Sequence, residues 1–398
     1  MDSFIYALVL SPALTELLPR SGISATSANV GLAGSILFAL FLVGWGLAFI
    51  WGPIADRYGR TRVLAAAVLV YALFTAAAAL SQTVWQLGLF RLLAGIGIGG
   101  EWALAGTYVA EAWPEERRKM GAGYLQTGYY TGFFLAAALN FTVGAHFGWR
   151  ALFLCGLSPV ILAMYILLKV REPDKWAAAA KPAARPRPGP LVRILLPPLR
   201  RRTVVNALLL TVAIVGLWAG AVYEPSAIIA LARKQGFDQV TAGRIASLGT
   251  AILAVGTILG CLLAPLMAER YGRRRTLAGY FIGMALCIGL AFGWAFYLPN
   301  GLRPFLAVLF FLGICGGNFA LFSLWLPEQY GTAVRATAFA FTTSIGRFIG
   351  AGVNFLLGAA IHSYGSLGVP VAATALAFVV GLVVVPFAVE TVGQRLPD

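Results

Sequence analysis

The sequence predicts an all-α polytopic membrane protein, with twelve transmembrane helices in two pseudo-symmetric six-helix bundles. Three observations predict it. Hydrophobic residues make up 60% of the 398 and charged residues 11%, with a mean hydropathy of +0.82, more apolar surface than a soluble globule can cover. Twelve apolar runs are long enough to cross roughly 30 Å of hydrocarbon at about 1.5 Å per residue, and none alternates with period two as a barrel strand would. Finally, GPIADRYGRTR from Gly52 to Arg62 returns as APLMAERYGRRR from Ala264 to Arg275, at an offset of 213 residues. A basic, glycine-turned loop repeated at half the chain length implies two homologous bundles.

Span 1, residues 3–18, contains Pro12 and has no basic leader. It falls short of the ~20 residues a crossing needs, so an upstream segment is expected to be missing; the alternative is a locally thinned bilayer. Spans 2 (31–55) and 3 (63–80) flank the first motif copy. Span 4 (86–110) carries Arg91, Glu101 and Trp102, span 5 (120–145) carries Gln126, Tyr129, Tyr130 and Asn140, and span 6 is 150–169. An Ala-, Pro- and Arg-rich stretch then replaces the apolar pattern and reads as a linker. In span 7 (204–230) Glu224 precedes Pro225, which is expected to break the helix. Spans 8 (243–268) and 9 (276–298) flank the second motif copy. Span 10 (304–327) holds Asn318, span 11 (336–361) holds Arg347 and Asn354, and span 12 is 367–389. The expected organisation is an N-terminal bundle at 1–176, a cytoplasmic linker at 177–202 and a C-terminal bundle at 203–398.

The net charge of +15 raises nucleic-acid binding, but its distribution argues otherwise. With both termini inside, 22 of the 30 basic residues fall in inner loops and six in outer ones, as the positive-inside rule requires. The lipid bilayer is the partner that charge implies, and nucleic acid is not. Cys155, Cys261, Cys287 and Cys315 each lie within a different span, without metal-ligand spacing, and read as packing residues. His146 and His362 are the two histidines, and no nucleophile elbow or nucleotide loop accompanies them. No enzyme activity, metal or cofactor is expected.

These residues resemble the major facilitator superfamily of secondary transporters. Gly52 to Arg62 looks like its loop 2–3 signature, and RLLAGIGIG from Arg91 to Gly99 looks like its span 4 motif. Within it the chain is similar to proton-coupled symporters of organic acids, through Gly99-Gly100-Glu101-Trp102, Leu125 to Tyr129, and Gly346, Arg347 and Gly350. That likeness alone makes Asp2 a proton-coupling candidate. The chain lacks the span 5 Gly-Pro signature of drug/proton antiporters. Arg171-Glu172-Pro173 only faintly echoes the sugar-porter pattern after span 6. A monomer in a bacterial inner membrane, both termini cytoplasmic, is expected.

Charge burial selects the site candidates. Arg347, near mid-membrane, must face a polar cavity and a partner. Either it grips a substrate carboxylate with two hydrogen bonds, or it is a structural arginine paired with Glu101 or helix-end carbonyls. Glu101 is a proton-coupling candidate because a low-dielectric cavity favours its neutral form, and Arg91 supports proton transfer or anchors span 4. Glu224, Tyr129, Tyr130, Gln126, Asn140, Trp102, Asn318 and Asn354 are candidate cavity residues, each with helix packing as the plain alternative. Asp56, Arg60, Glu111, Arg117, Glu269, Arg273, Glu328 and Arg335 are expected to form a cytoplasmic gate whose bonds cross between bundles, Asp56 facing the positive end of span 11 and Glu269 that of span 5. The expected function is alternating-access transport of a small organic anion, a monocarboxylate or aromatic acid, with a proton. A sugar or other neutral-metabolite carrier is the alternative, a drug/proton antiporter a more distant one.

Overall fold

The computed structural model describes residues 2–179 and 188–397, and every regular element among them is helical. In order they are α1 (Asp2–Arg20), α2 (Ser27–Leu47), α3 (Trp51–Tyr58), α4 (Arg60–Ala78), α5 (Val84–Ala112), α6 (Glu115–Leu139), α7 (Ala145–Leu154), α8 (Pro159–Lys169) and α9 (Asp174–Ala179). The second half continues with α10 (Pro190–Leu195), α11 (Leu199–Lys234), α12 (Gln239–Tyr271), α13 (Arg273–Ile288), α14 (Leu302–Gly316), α15 (Asn318–Glu328), α16 (Arg335–Tyr364), α17 (Gly368–Ala373) and α18 (Leu376–Val384). Four crossings are built from helix pairs, α2 with α3, α7 with α8, α14 with α15 and α17 with α18, while α9 and α10 lie in the linker. Twelve crossings result.

Local chemistry accounts for the breaks. Thr26 caps α2 by accepting from the Asn29 amide at 3.2 Å, and Thr83 caps α5 through Gln86 at 3.3 Å. Pro159, which cannot donate, opens α8 after a tight turn at Cys155–Leu157. Gly317 separates α14 from α15 where a Cβ would fall on the Gly260 backbone of α12. Pro225 does not break its helix, contrary to the sequence expectation: α11 runs 36 residues through it. Packing against α12, α14 and α16 holds the turn despite the missing donor.

Nine helical stretches among the described residues are apolar and long enough to span a membrane. The other three crossings are α1, α6 and α11; α6 opens on Glu115, Glu116, Arg117, Arg118 and Lys119, which dilutes its hydropathy.

The two motif copies build the same corner. Gly59 at φ 110° and Gly272 at φ 92° end α3 and α12 in a conformation that side chains resist. The Glu172 carboxylate then accepts from the amides of Arg60 at 2.7 Å, Thr61 at 3.1 Å and Arg62 at 3.2 Å, capping α4. Glu390 does the same for α13 through Arg273 at 3.0 Å and Arg274 at 3.1 Å. Both corners sit at one end of the bundle, the motif end. Glycines bring helices into backbone contact in each half: a Cβ at Gly95 of α5 would strike the Phe41 carbonyl of α2, and one at Gly260 of α12 the Ile314 carbonyl of α14.

Candidate functional site

At the motif end, the two halves are tied by a charged cluster around each copy. In the first, Arg60 is fully buried and pairs with Asp56 at 3.0 Å and Glu111 at 2.9 Å, while its guanidinium donates to the Thr332 carbonyl of the other half at 2.7 Å. Glu111 also accepts from Arg335 at 2.6 Å. The Asp56 carboxylate crosses to the start of α16, accepting from the amides of Ala336 at 3.3 Å and Thr337 at 3.0 Å and from the Thr337 hydroxyl at 2.5 Å. This is a helix N-terminus meeting an anion. Close approach is possible because Gly52 has no side chain: a Cβ there would come within 2.5 Å of the Thr337 Cα.

The second cluster repeats the plan more loosely. Arg273 pairs with Glu269 at 2.8 Å and Glu328 at 2.9 Å. Across the divide, Lys119 reaches Glu269 at 3.2 Å and Arg118 approaches Glu328 at 3.5 Å. Arg118, rather than the expected Arg117, faces the second half; Arg117 is exposed. One residue along a helix turns the side chain through about 100°, and the arginine run in the sequence does not say which member points inward. Glu269 meets a lysine side chain instead of the backbone amides that Asp56 meets. A cavity of about 330 Å³ lies here, lined by Glu115, Arg118, Lys119, Glu269 and Glu328 among others.

Farther from the motif end, Arg347 of α16 is 5% exposed. Its guanidinium carbon lies 4.3 Å from the ring centroid of Trp45 on α2 and 5.4 Å from that of Trp102 on α5. Cation–π attraction holds the plane of the guanidinium, while among the described residues no carboxylate lies within ion-pairing distance and no protein acceptor takes its N–H groups. Glu101, half-buried and engaged in contacts of its own, does not reach it. Tyr129 on α6 packs edge-on to Tyr130 at 5.3 Å. Gln126, one turn earlier, is buried with its side-chain oxygen unpartnered. Asn354 follows Arg347 by seven residues, on the same face of α16.

Other candidates lie apart. Arg91 is fully buried, 4.5 Å over the Phe41 ring, and Phe41 in turn packs on Trp45 at 5.7 Å. Asn318, fully buried at the α14–α15 break, donates to the Cys315 carbonyl at 2.9 Å. Asn140 opens a wide turn at Asn140–Gly144 that interrupts span 5. Glu224 is buried inside the second half, where Thr250 of α12 donates to it at 3.2 Å, with no contact to Arg347. The Asp2 side chain lies outside the described residues.

The structure gives roles to positions that the sequence does not single out as site residues. Trp45 is one aromatic among many in an apolar run, and nothing in the sequence marks it. Glu172 and Glu390 do carry a signal: each is the acidic residue just after the last crossing of its half.

Comparison with known proteins places this architecture. Residues 1–265 match the Major Facilitator Superfamily and residues 204–398 match the sugar (and other) transporter family. The chain is 28% identical to the cis,cis-muconate transport protein of Acinetobacter baylyi, over 91% of this chain and 84% of that one. It is 30% identical to the 4-hydroxybenzoate transporter PcaK of Pseudomonas aeruginosa, over 79% and 74%. Among solved structures, the proton:xylose symporter XylE superposes with a TM-score of 0.82 over 99% of this chain and 94% of its own, at 18% identity. These proteins are transporters and not enzymes.

Proposed function

The chain belongs to the major facilitator superfamily, and from that premise we propose that it carries a small organic anion, a monocarboxylate or aromatic acid, across a bacterial inner membrane by alternating access in symport with a proton. The observation that carries the proposal is Arg347: a buried guanidinium set 4.3 Å from the Trp45 ring and 5.4 Å from the Trp102 ring, which meets no acceptor among the described residues. A permanent cation whose fork has no acceptor among the described residues suits a carboxylate, since two parallel charge-assisted bonds satisfy both ions. Tyr129, Tyr130, Gln126 and Asn354 supply aromatic faces and amides around it. Glu101, next to Trp102 on α5, is the proton carrier in this reading. The motif end faces the cytoplasm, both termini with it, and its two charged clusters close the inner side of a monomeric carrier built from residues 1–176 and 203–398. The relatives that transport muconate and 4-hydroxybenzoate support an acidic substrate.

A neutral-solute reading is supported by the match of residues 204–398 to the sugar (and other) transporter family. Uptake of benzoate and of xylose into proteoliposomes separates the two. Arg347→Gln should abolish benzoate uptake, and purified parent protein should be thermally stabilised by carboxylates, more so at low pH, and not by sugars. Near-normal acid uptake by Arg347→Gln sinks the proposal.

A further inference from the structure

Trp102 belongs to the first half by sequence, yet its ring is embedded in the second. It packs at 5.2 Å on Phe339 of α16 and 5.7 Å on Phe319 of α15, and its indole N–H donates to the Ser323 hydroxyl of α15 at 3.0 Å. The same ring is one of the two surfaces that Arg347 faces, at 5.4 Å. One turn further along α5, Gly106 lets Phe339 approach so closely that a Cβ would sit 2.6 Å from its ring. Nine residues beyond Trp102, or roughly 13 Å along the helix, Glu111 enters the charged cluster. Trp102 therefore stands between the anion site and the closed end, touching both halves.

We infer that Trp102 and Ser323 form a latch that holds the motif end shut while Arg347 is empty and releases when an anion neutralises that arginine. The inference rests on the alternating-access reading above. It assigns Trp102 a positioning role in conformational coupling rather than a place on the substrate. The crossing bonds of Asp56, Arg60, Glu111 and Lys119 all carry charge; the Trp102 bond is neutral on both sides, so salt barely screens it. Its link to occupancy is the guanidinium. With no counter-ion among the described residues, Arg347 is attracted to the electron-rich faces of Trp45 and Trp102 and draws α16, α2 and α5 together. A carboxylate bound to its edge competes for that charge and loosens the ring contacts, so that the Trp102–Ser323 bond is no longer reinforced by the arginine. Opening is then favoured by binding, and the unliganded carrier is held mostly closed at this end. Ligand and latch thus act on one two-state equilibrium, as differential binding requires.

The test measures that equilibrium without substrate. Spin labels on cysteines replacing the exposed Arg117 and Arg275, one per half at the motif end, report its opening by double electron–electron resonance, in a background with the four native cysteines replaced by alanine. Ser323→Ala removes one hydroxyl and keeps the packing; Trp102→Phe keeps a ring and removes the donor. Each should raise the open-to-closed ratio of the unliganded protein roughly fivefold, the worth of one net hydrogen bond. Thermal stability of Ser323→Ala should stay near that of the parent, since a merely structural hydroxyl would alter melting rather than populations. Adding benzoate should open the parent and open Ser323→Ala little further. Unchanged distances in unliganded Ser323→Ala and Trp102→Phe overturn the latch. Opening in both variants with no response of the parent to benzoate keeps the Trp102–Ser323 bond as a closure and overturns both its release by an anion and the reading of Arg347 as a carboxylate site.

Discussion

Glu101 and Arg347 lie on helices of different halves, α5 and α16, and no ion pair joins them. That separation permits a division of labour: the arginine can hold an anion while the carboxyl exchanges a proton. Glu101→Gln, which mimics the protonated form, should therefore abolish accumulation driven by an inward pH gradient while leaving exchange of labelled for unlabelled benzoate within a few-fold of the parent. Gradient-driven accumulation that survives the substitution would remove Glu101 from coupling. At this scale the sequence is informative about charge and poor on orientation. A buried arginine in an apolar run is conspicuous because its burial is costly, so Arg347 and Arg91 stand out. Trp45, whose ring holds Arg347, does not, because aromatic residues are ordinary in a membrane helix. Arg117 and Arg118 are neighbours with the same charge, and only helical phase, set by packing, tells them apart.

The two corners at Gly59 and Gly272 were visible as a repeat before their geometry was known. Repetition of Gly within a basic loop implies a backbone conformation that other residues resist, and both glycines adopt positive φ. What the motif did not show is its cap, because Glu172 lies 112 residues from Arg60 and arrives only when the sixth crossing packs beside the third. Gly59→Ala meets two penalties, a left-handed φ and a methyl group driven against the Glu172 carboxylate. Roughly 1–3 kcal/mol of strain is expected, seen as a thermal midpoint several degrees lower in detergent. Gly128→Ala is the control: it lies mid-helix in α6 with open space around its Cβ, so its midpoint should hold or rise slightly. Equal loss in both would mean that the corner has no special demand. Pro225 taught the opposite lesson: a residue that breaks isolated helices is absorbed where neighbouring helices supply the packing.

Pseudo-symmetry of the whole molecule stops short of identity, and the difference lies at the motif end. The Asp56 side chain is 1% exposed and engages a helix terminus, an arginine and a hydroxyl. Glu269 is 34% exposed and engages Arg273 and a lysine whose own side chain is 36% exposed. Removing one partner from a sealed charged cluster costs about 3–5 kcal/mol, whereas a partly solvated pair returns about 1 kcal/mol or less. Both sets of bonds join the halves only when this end is closed, so each loss falls on the closed state and appears as opening. Asp56→Asn should raise the open fraction of the unliganded carrier on the order of a hundredfold, and Glu269→Gln at most about fivefold, as read from the spin-label separation across the motif end. Asp56→Asn should also bind benzoate more weakly from the outside, since the outward-facing state is depleted. Equal opening in the two variants, or greater opening in Glu269→Gln, would show that the copies share the load and that burial does not rank them. If the ranking holds, rocking has a preferred order: the looser cluster around Glu269 parts first, and the Asp56 cap on α16, the helix that carries Arg347, is the last bond to break before the motif end opens.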